Sequence, residues 1–309
     1  MTQWRRPNFL VVGAARCGTT ALVEGLRSHP QVFVTDPKEP HYFAFHGTRP
    51  AFAGPGDAHT VNRVAVTDRD AYLALYPPKG DYVAMGDGSV STMYYYERAL
   101  PEVLAVNPEM RLVVLLRDPV ARAYSNHQYM RARGFEPCED FLAAVADEGR
   151  RRAENWHHMW HYTELSKYAD AVQALQQAVP AEQLGIWFYE DLDRAYTQTL
   201  LEVCRFLGLS PVAGTGEDVP RVNISGAPRI QNLQRVLWWA TRHERVRSTV
   251  KAATTYRFRE RIRHVALRQE GIPAGVRARL LPMFEDDLAR LRELLPGETP
   301  AWLSLSQTS

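Results

Sequence analysis

The stretch that most constrains this chain is FLVVGAARCGTT, Phe9 to Thr20. Four apolar residues, Phe9, Leu10, Val11 and Val12, predict a buried parallel strand. Gly13 ends the run, a loop of small residues follows, and Gly18-Thr19-Thr20 opens a helix with Leu22, Val23 and Leu26 on its inner side. A strand, a glycine loop and a helix N-terminus in that order form an anion site. Successive backbone N–H groups point into the loop, and the helix dipole adds partial positive charge. The competing interpretation is a tight strand–helix turn that holds no ligand.

The position of the cation narrows the choice of anion. A nucleoside-triphosphate loop reads G-x-x-x-x-G-K-[ST], with Lys straight after the second glycine and a hydroxyl for magnesium. Gly13 and Gly18 keep that spacing, but Thr19 stands where the Lys belongs, and the cation of the loop is Arg16. The loop suits a phosphate and makes a poor ATPase loop.

Composition excludes several classes. A chain of 309 residues, 45% hydrophobic and 23% charged, can bury a sizeable core. The sequence predicts one domain: an α/β core over 1–210 and a mainly helical extension over 211–309. With 37 Lys+Arg against 35 Asp+Glu there is no nucleic-acid footprint, so any basic site is local. The polar start MTQWRRPNFL has no signal-peptide core and no later run approaches a membrane span, so a soluble protein with no membrane partner is expected. Cys17, Cys138 and Cys204 suggest neither a disulfide framework nor zinc, which points to a reducing cytoplasm.

Strands are expected at Gln31–Val34, Tyr82–Met85, Arg111–Leu116 and Leu184–Phe188, and helices at Arg69–Leu75, Glu97–Val106, Glu139–Ala146, Thr163–Ala178 and Tyr196–Leu207. Asp118-Pro119 caps a further helix. Residues from Gly47 to Asp68 lack a period and predict an exposed loop. Beyond Pro228 only helices are expected, near Ile230–Thr241, Thr249–Leu267 and Val276–Leu295. Strands alternating with helices give a P-loop-type parallel β-sheet flanked by helices, with a helical C-terminal extension.

A second motif, RDPVARAYS from Arg117 to Ser125, follows the strand RLVVLL directly. It sets a guanidinium and a hydroxyl over the strand's carboxyl end, where ligands of open α/β sheets bind, and both groups suit a phosphate monoester. Arg117 paired with Asp118 or a Glu, and Ser125 as a plain helical residue, is the other reading.

GAARCGTT resembles G-x-x-[KR]-[SC]-G-T-[ST], the 5′-phosphosulfate loop of sulfotransferases that use 3′-phosphoadenosine-5′-phosphosulfate (PAPS). RDPVARAYS is similar to their 3′-phosphate motif. HPQVFVTDPKEPHYF, GDGSVSTMYY, SKYADAVQAL, WFYEDLDRAYTQTLLEVCRFLGL, NISGAPRIQNLQRVL and the end FEDDLARLRELL extend the resemblance over most of the chain, closest in character to carbohydrate-type and bacterial members. The resemblance implies transfer of a sulfonate from PAPS, leaving adenosine 3′,5′-bisphosphate (PAP), with no metal. It implies a donor site of Arg16, Cys17, Gly18, Thr19, Thr20, Arg117, Ser125 and Tyr168. Arg229 is expected either to close over the 3′-phosphate or to cap the next helix.

For the base, the resemblance implies Glu39, in the position of the Glu of K-E-P-H. A carboxylate near anions and aromatics is expected to have a raised pKa; the competing reading is an ion pair with Lys38, Arg16 or Arg49. His41 is the rival base, or an aromatic-packed core histidine. Gly88 stands where heparan-type relatives often carry a second Lys, so either Arg16 does both jobs or Lys38 contributes. Cys17 reads as a loop residue, although a thiol at a helix N-terminus can be acidic. His157, His158 and His161 suggest an acceptor-side loop rather than zinc. Aromatic and His-rich segments at 41–46, 94–96 and 156–162 are expected to line a pocket for a small-molecule or glycan-like acceptor: a sugar, phenol or natural-product alcohol. The Arg- and Ala-rich style suggests a high-GC bacterium and secondary metabolism. The alternatives are a kinase-like P-loop phosphotransferase and a catalytically inactive nucleotide-binding relative.

Overall fold

A computed structural model describes residues 6–77, 80–210, 212, 227–228, 267–268, 271–273 and 275–304. Five strands, β1 (Phe9–Gly13), β2 (Val32–Val34), β3 (Ala84–Asp87), β4 (Arg111–Leu116) and β5 (Leu184–Phe188), form one parallel sheet in the order β2-β3-β1-β4-β5. Every residue of β1 is buried, and so is all of β4 after Arg111. Both faces of these strands are therefore covered by other elements, which is why they read as continuous apolar runs instead of alternating ones.

The chain leaves β1 through helix α1 (Thr19–Arg27), goes out to β2, returns to β3 beside β1, and only then crosses to β4 on β1's other side. That reversal lies between β1 and β4. The loop after β1 and the loop entering helix α2 (Pro119–Ala132) after β4 thus emerge side by side, the place where open α/β sheets take ligands. Beyond the strands the contact continues, with Ala14 N donating to Leu115 O at 2.8 Å.

Three expectations shift. The third strand starts two residues later than Tyr82–Met85 predicts and runs through Gly86. A Cβ on Gly86 would lie 2.1 Å from the Phe9 carbonyl oxygen, so the glycine that looked like a strand end instead permits β3 to approach β1. The helix expected over 163–178 is a 3₁₀ turn, Glu164–Ser166, followed by α3 (Ala169–Ala178). The segment expected as an exposed loop, 47–68, contains the buried Asp57. Its carboxylate accepts from Gly54 N, His157 N and Trp160 Nε1 at 2.9, 3.1 and 3.0 Å and so anchors the loop to the protein.

At the C-terminal side, the helix predicted over 276–295 is α4 (Val276–Leu280), a 3₁₀ turn and α5 (Glu285–Leu294). Ala227–Pro228 and Leu267–Arg268 pair as a short antiparallel ladder where only helices were expected. Arg229 and the helices predicted at Ile230–Thr241 and over most of Thr249–Leu267 lie outside the described residues.

Candidate active site

Gly18 opens α1 with φ 87°, and a Cβ there would meet Leu192 Cδ2 at 2.7 Å, so backbone conformation and close packing both select glycine. Arg16 also takes a left-handed conformation, φ 70°, which turns its side chain off the loop. Thr19 is buried and Thr20 half-buried. Cys17 is fully buried; its Sγ lies 3.8 Å from Ala15 O and 4.0 Å from the Tyr168 hydroxyl. Burial pushes this thiol up to about 11, against the pull of Arg122 and Arg117. It is an inert packing residue at neutral pH, whatever the helix N-terminus contributes.

Arg117, at the end of β4, lays its guanidinium 4.0 Å from the centre of the Tyr189 ring and donates from Nη1 to Arg16 O at 3.1 Å. Tyr168 donates its hydroxyl to Arg117 O at 3.0 Å. Arg122, one turn into α2, is wholly buried. It donates to Ser166 Oγ, Tyr162 O and, more weakly, Ala15 O at 2.5, 2.8 and 3.4 Å, which ties the loop to the acceptor-side segment. Among the described residues neither Arg117 nor Arg122 has an acidic partner within salt-bridge distance. Arg16 Nη2 reaches Ser125 Oγ at 3.4 Å, and its guanidinium sits 4.4 Å from the Tyr129 ring centre. Burial lowers the Arg16 pKa to about 10; Tyr129 opposes this, and repulsion from Arg117 and Arg122 adds to it. Positive groups crowded round one glycine loop are an environment that an anion relieves.

On the other side of the loop, Lys38 Nζ pairs with Glu39 Oε1 at 2.5 Å. Burial raises the Glu39 pKa, but Lys38 and His41 together outweigh it, and the net shift is downward. The expected raised pKa is therefore corrected: its nearest charges are cations. The ion-pair reading of Glu39 holds for this state of the site. His41 donates its backbone N–H to Ser89 Oγ at 3.0 Å, and its Nδ1 lies 2.8 Å from Ser91 Oγ. Burial lowers its pKa, with Glu39 opposing, so the ring is neutral near pH 7. A Cβ on Gly88 would lie 2.9 Å from Val23 Cγ2 and 3.6 Å from Lys38 Nζ. Val23 closes on the space beside Gly88, and the Lys38 ammonium borders it.

The three aromatic segments do converge. Tyr94 stacks on His158 at 5.6 Å and reaches His161 Nδ1 at 2.7 Å, while Tyr95 packs edge-on against both Phe45 and His158. The sequence reading had not assigned Arg122, Tyr129, Tyr189 or Asp57. Arg122 was visible as the second Arg of RDPVARAYS; the others carry no local signal, because their partners lie far away in sequence.

A sequence model described as the sulfotransferase family matches residues 7–213, about two thirds of the chain. The chain belongs to the sulfotransferase family. It is 31% identical over 173 residues to carbohydrate sulfotransferase 15 of Mus musculus, a match covering 46% of this chain and 30% of that protein. Over 215 residues it is 25% identical to the mouse bifunctional heparan sulfate N-deacetylase/N-sulfotransferase 3, covering 67% of this chain and 23% of the relative. The match thus spans less than a third of these relatives' length. The crystal structure of a sulfotransferase from Alicyclobacillus acidocaldarius superposes with a TM-score of 0.73 at 25% identity, covering 96% of this chain and 99% of that one. No helix among the described residues is long and apolar enough to cross a membrane.

Proposed function

We propose that the chain transfers a sulfonate group from PAPS to an acceptor hydroxyl. The observation that carries this reading is the cluster of Arg16, Arg117 and Ser125 where the loops after β1 and β4 meet, with no Lys in the Thr19 position. One loop accepts the 5′-phosphosulfate and the other the 3′-phosphate. The crowding of guanidinium groups and the inert thiol both fit a bound anion and argue against a covalent enzyme intermediate. Family membership favours the same donor.

In this reading the acceptor oxygen attacks sulfur, the bond from sulfur to the 5′-phosphate oxygen breaks, and Glu39 takes the acceptor's proton. Arg16 and the N–H groups of Cys17, Gly18, Thr19 and Thr20 stabilise charge growing on the leaving phosphate, each donor of this kind contributing roughly 3 kcal/mol to the barrier. Lys38 serves the sulfonate, since its ammonium borders the position of Gly88, 3.6 Å from where a Cβ would stand. It leaves Glu39 to do so, which frees the carboxylate as a base once the donor is bound. His41, neutral and bonded near Ser91, orients the group instead of accepting the proton. Tyr94, Tyr95 and His158 form the wall on the acceptor side, and the names of the mouse relatives favour a carbohydrate acceptor.

Calorimetry without magnesium tests the donor site. Adenosine 3′,5′-bisphosphate is expected to bind more tightly than ADP or ATP, and Arg117→Ala to lose at least about tenfold, one charge-assisted hydrogen bond being worth roughly 1.5–3 kcal/mol. Preference for ATP, or a need for magnesium, would overturn the reading in favour of the phosphotransferase. Tight bisphosphate binding without sulfonate transfer to any of a panel of sugars, phenols and alcohols would favour the inactive relative.

A further inference from the structure

The family model ends at residue 213, yet the C-terminal helix α5 reaches back to the donor motif. Tyr168 stands at the N-terminus of α3 and has no side chain able to cap it. The cap comes from α5: Asp287 Oδ2 accepts from Tyr168 N and Oδ1 accepts from Ala169 N, both at 2.9 Å. The same Tyr168 donates its hydroxyl to the carbonyl of Arg117 and lies against Cys17 of the loop. Alongside it, α4 sends Arg277 to Asp118 Oδ2 at 2.7 Å, and Asp118 caps α2 through Ala121 N at 2.8 Å. Both residues of the Arg117-Asp118 pair are therefore gripped from the C-terminal segment, one through Tyr168 and one directly.

We infer that Asp287 is a positioning residue for the 3′-phosphate: it fixes the backbone of Tyr168, whose hydroxyl fixes the Arg117 carbonyl, so that the Arg117 guanidinium stays on Tyr189 and faces the ligand. This role rests on the donor reading above, and Asp287 itself lies beyond residue 213, where the match to the family's sequence model ends. Its chemistry is specific. Two N–H groups converge on two oxygens of one carboxylate, a pairing that a helix start buried under another helix cannot obtain from water. Phe284, Leu288 and Leu291, all buried, hold α5 in place and would do so without Asp287. Packing thus explains why α5 docks, and the carboxylate explains the register in which Tyr168 presents its hydroxyl.

The test compares two probes, adenosine 3′,5′-bisphosphate and adenosine 5′-phosphate, which lacks the 3′-phosphate. Wild type preferring the bisphosphate establishes the donor reading; equal binding of the two probes overturns that reading regardless of what Asp287 does. In full-length Asp287→Ala the bisphosphate is expected to weaken about tenfold while adenosine 5′-phosphate changes less than about twofold, so the preference collapses. Asp287→Asn, which keeps one acceptor oxygen, falls between. Tyr168→Phe is expected to lose the same preference, and the double variant to lose little more than either single one. Leu288→Ala is the control: it loosens α5 by removing packing and lowers the melting temperature without changing the ratio. An Asp287→Ala ratio equal to wild type, or a Leu288→Ala ratio that falls as far, overturns the inference.

Discussion

At the scale of single residues, Lys38 and Glu39, the proposed sulfonate contact and base, pair with each other at 2.5 Å. Glu39 is held below the ordinary carboxylate value. A group depressed in this way stays ionised above its folded pKa and loses its charge, with any stability it lends, only as pH falls through that value. If it is the base, the acid limb of kcat/KM lies below about pH 4.5, the reference value it is shifted from. Glu39→Gln should abolish that limb and lower kcat by on the order of 10²–10⁴. His41 is also depressed, so a limb at or above pH 6.5 that persists in Glu39→Gln would transfer the role of base elsewhere. The Lys38 assignment has its own test. Lys38→Ala should lose most activity, and Gly88→Lys alone should be destabilised, because its new Cβ meets Val23 Cγ2 at 2.9 Å and its longer chain competes with Lys38 for the space beyond. The double variant Lys38→Ala, Gly88→Lys keeps the contact with Val23 but frees the space of the Lys38 chain and returns a cation to it. Activity above that of Lys38→Ala supports the exchange; activity no higher than the single variant's refutes it.

At the scale of elements, the helix starts separate those that serve the site from those that serve only the fold. Asp118 and Asp140 are both N-caps, accepting from Ala121 N at 2.8 Å and Ala143 N at 2.7 Å. Each substitution to Ala is expected to cost about 0.5–2 kcal/mol in urea unfolding. Only Asp118→Ala should also weaken the bisphosphate, since it shifts the start of α2 that carries Ser125 and releases Arg277. Equal nucleotide affinity in the two variants would contradict this division. The cap at Asp118 was legible because the signal is local: Asp, then Pro at the first turn, then a helix. The cap on α3 was not, because its acceptor sits 118–119 residues away on α5, and the sequence there predicted an unbroken helix across Lys167 and Tyr168. Likewise Gly86 reads as a break until β1 is placed against it, when its missing side chain becomes the reason the two strands fit.

At the scale of the whole molecule, alternation of strand and helix was enough to foresee a parallel sheet, and two motifs were enough to propose a phosphate site. Strand order was not foreseeable. Buried parallel strands are apolar on both faces and encode little about which neighbour they take, so only the chain tracing puts β4 beside β1 and brings Arg117 to Arg16. The segment from 47 to 68 was read as an exposed loop for a related reason: its order comes from contacts distant in sequence, among them Ala53 N to Asn155 O and the buried carboxylate of Asp57. Asp57 collects three N–H donors from two segments a hundred residues apart. Asp57→Ala leaves all three without an acceptor, each costing about 1–3 kcal/mol, so a loss on the order of 3–9 kcal/mol is expected in urea unfolding. Asp57→Asn keeps one acceptor oxygen and should lose less. The damage is expected to stay on one side of the molecule, because Gly54, His157 and Trp160 are not donor-site residues and Arg122, which joins Tyr162 O to Ala15 O, does not depend on Asp57 for its bonds. Amide exchange should accelerate over 51–60 and 156–161 while bisphosphate affinity, measured well below the midpoint, stays within about twofold. If affinity falls in step with stability, the donor and acceptor sides form one cooperative unit and this division of the molecule is wrong.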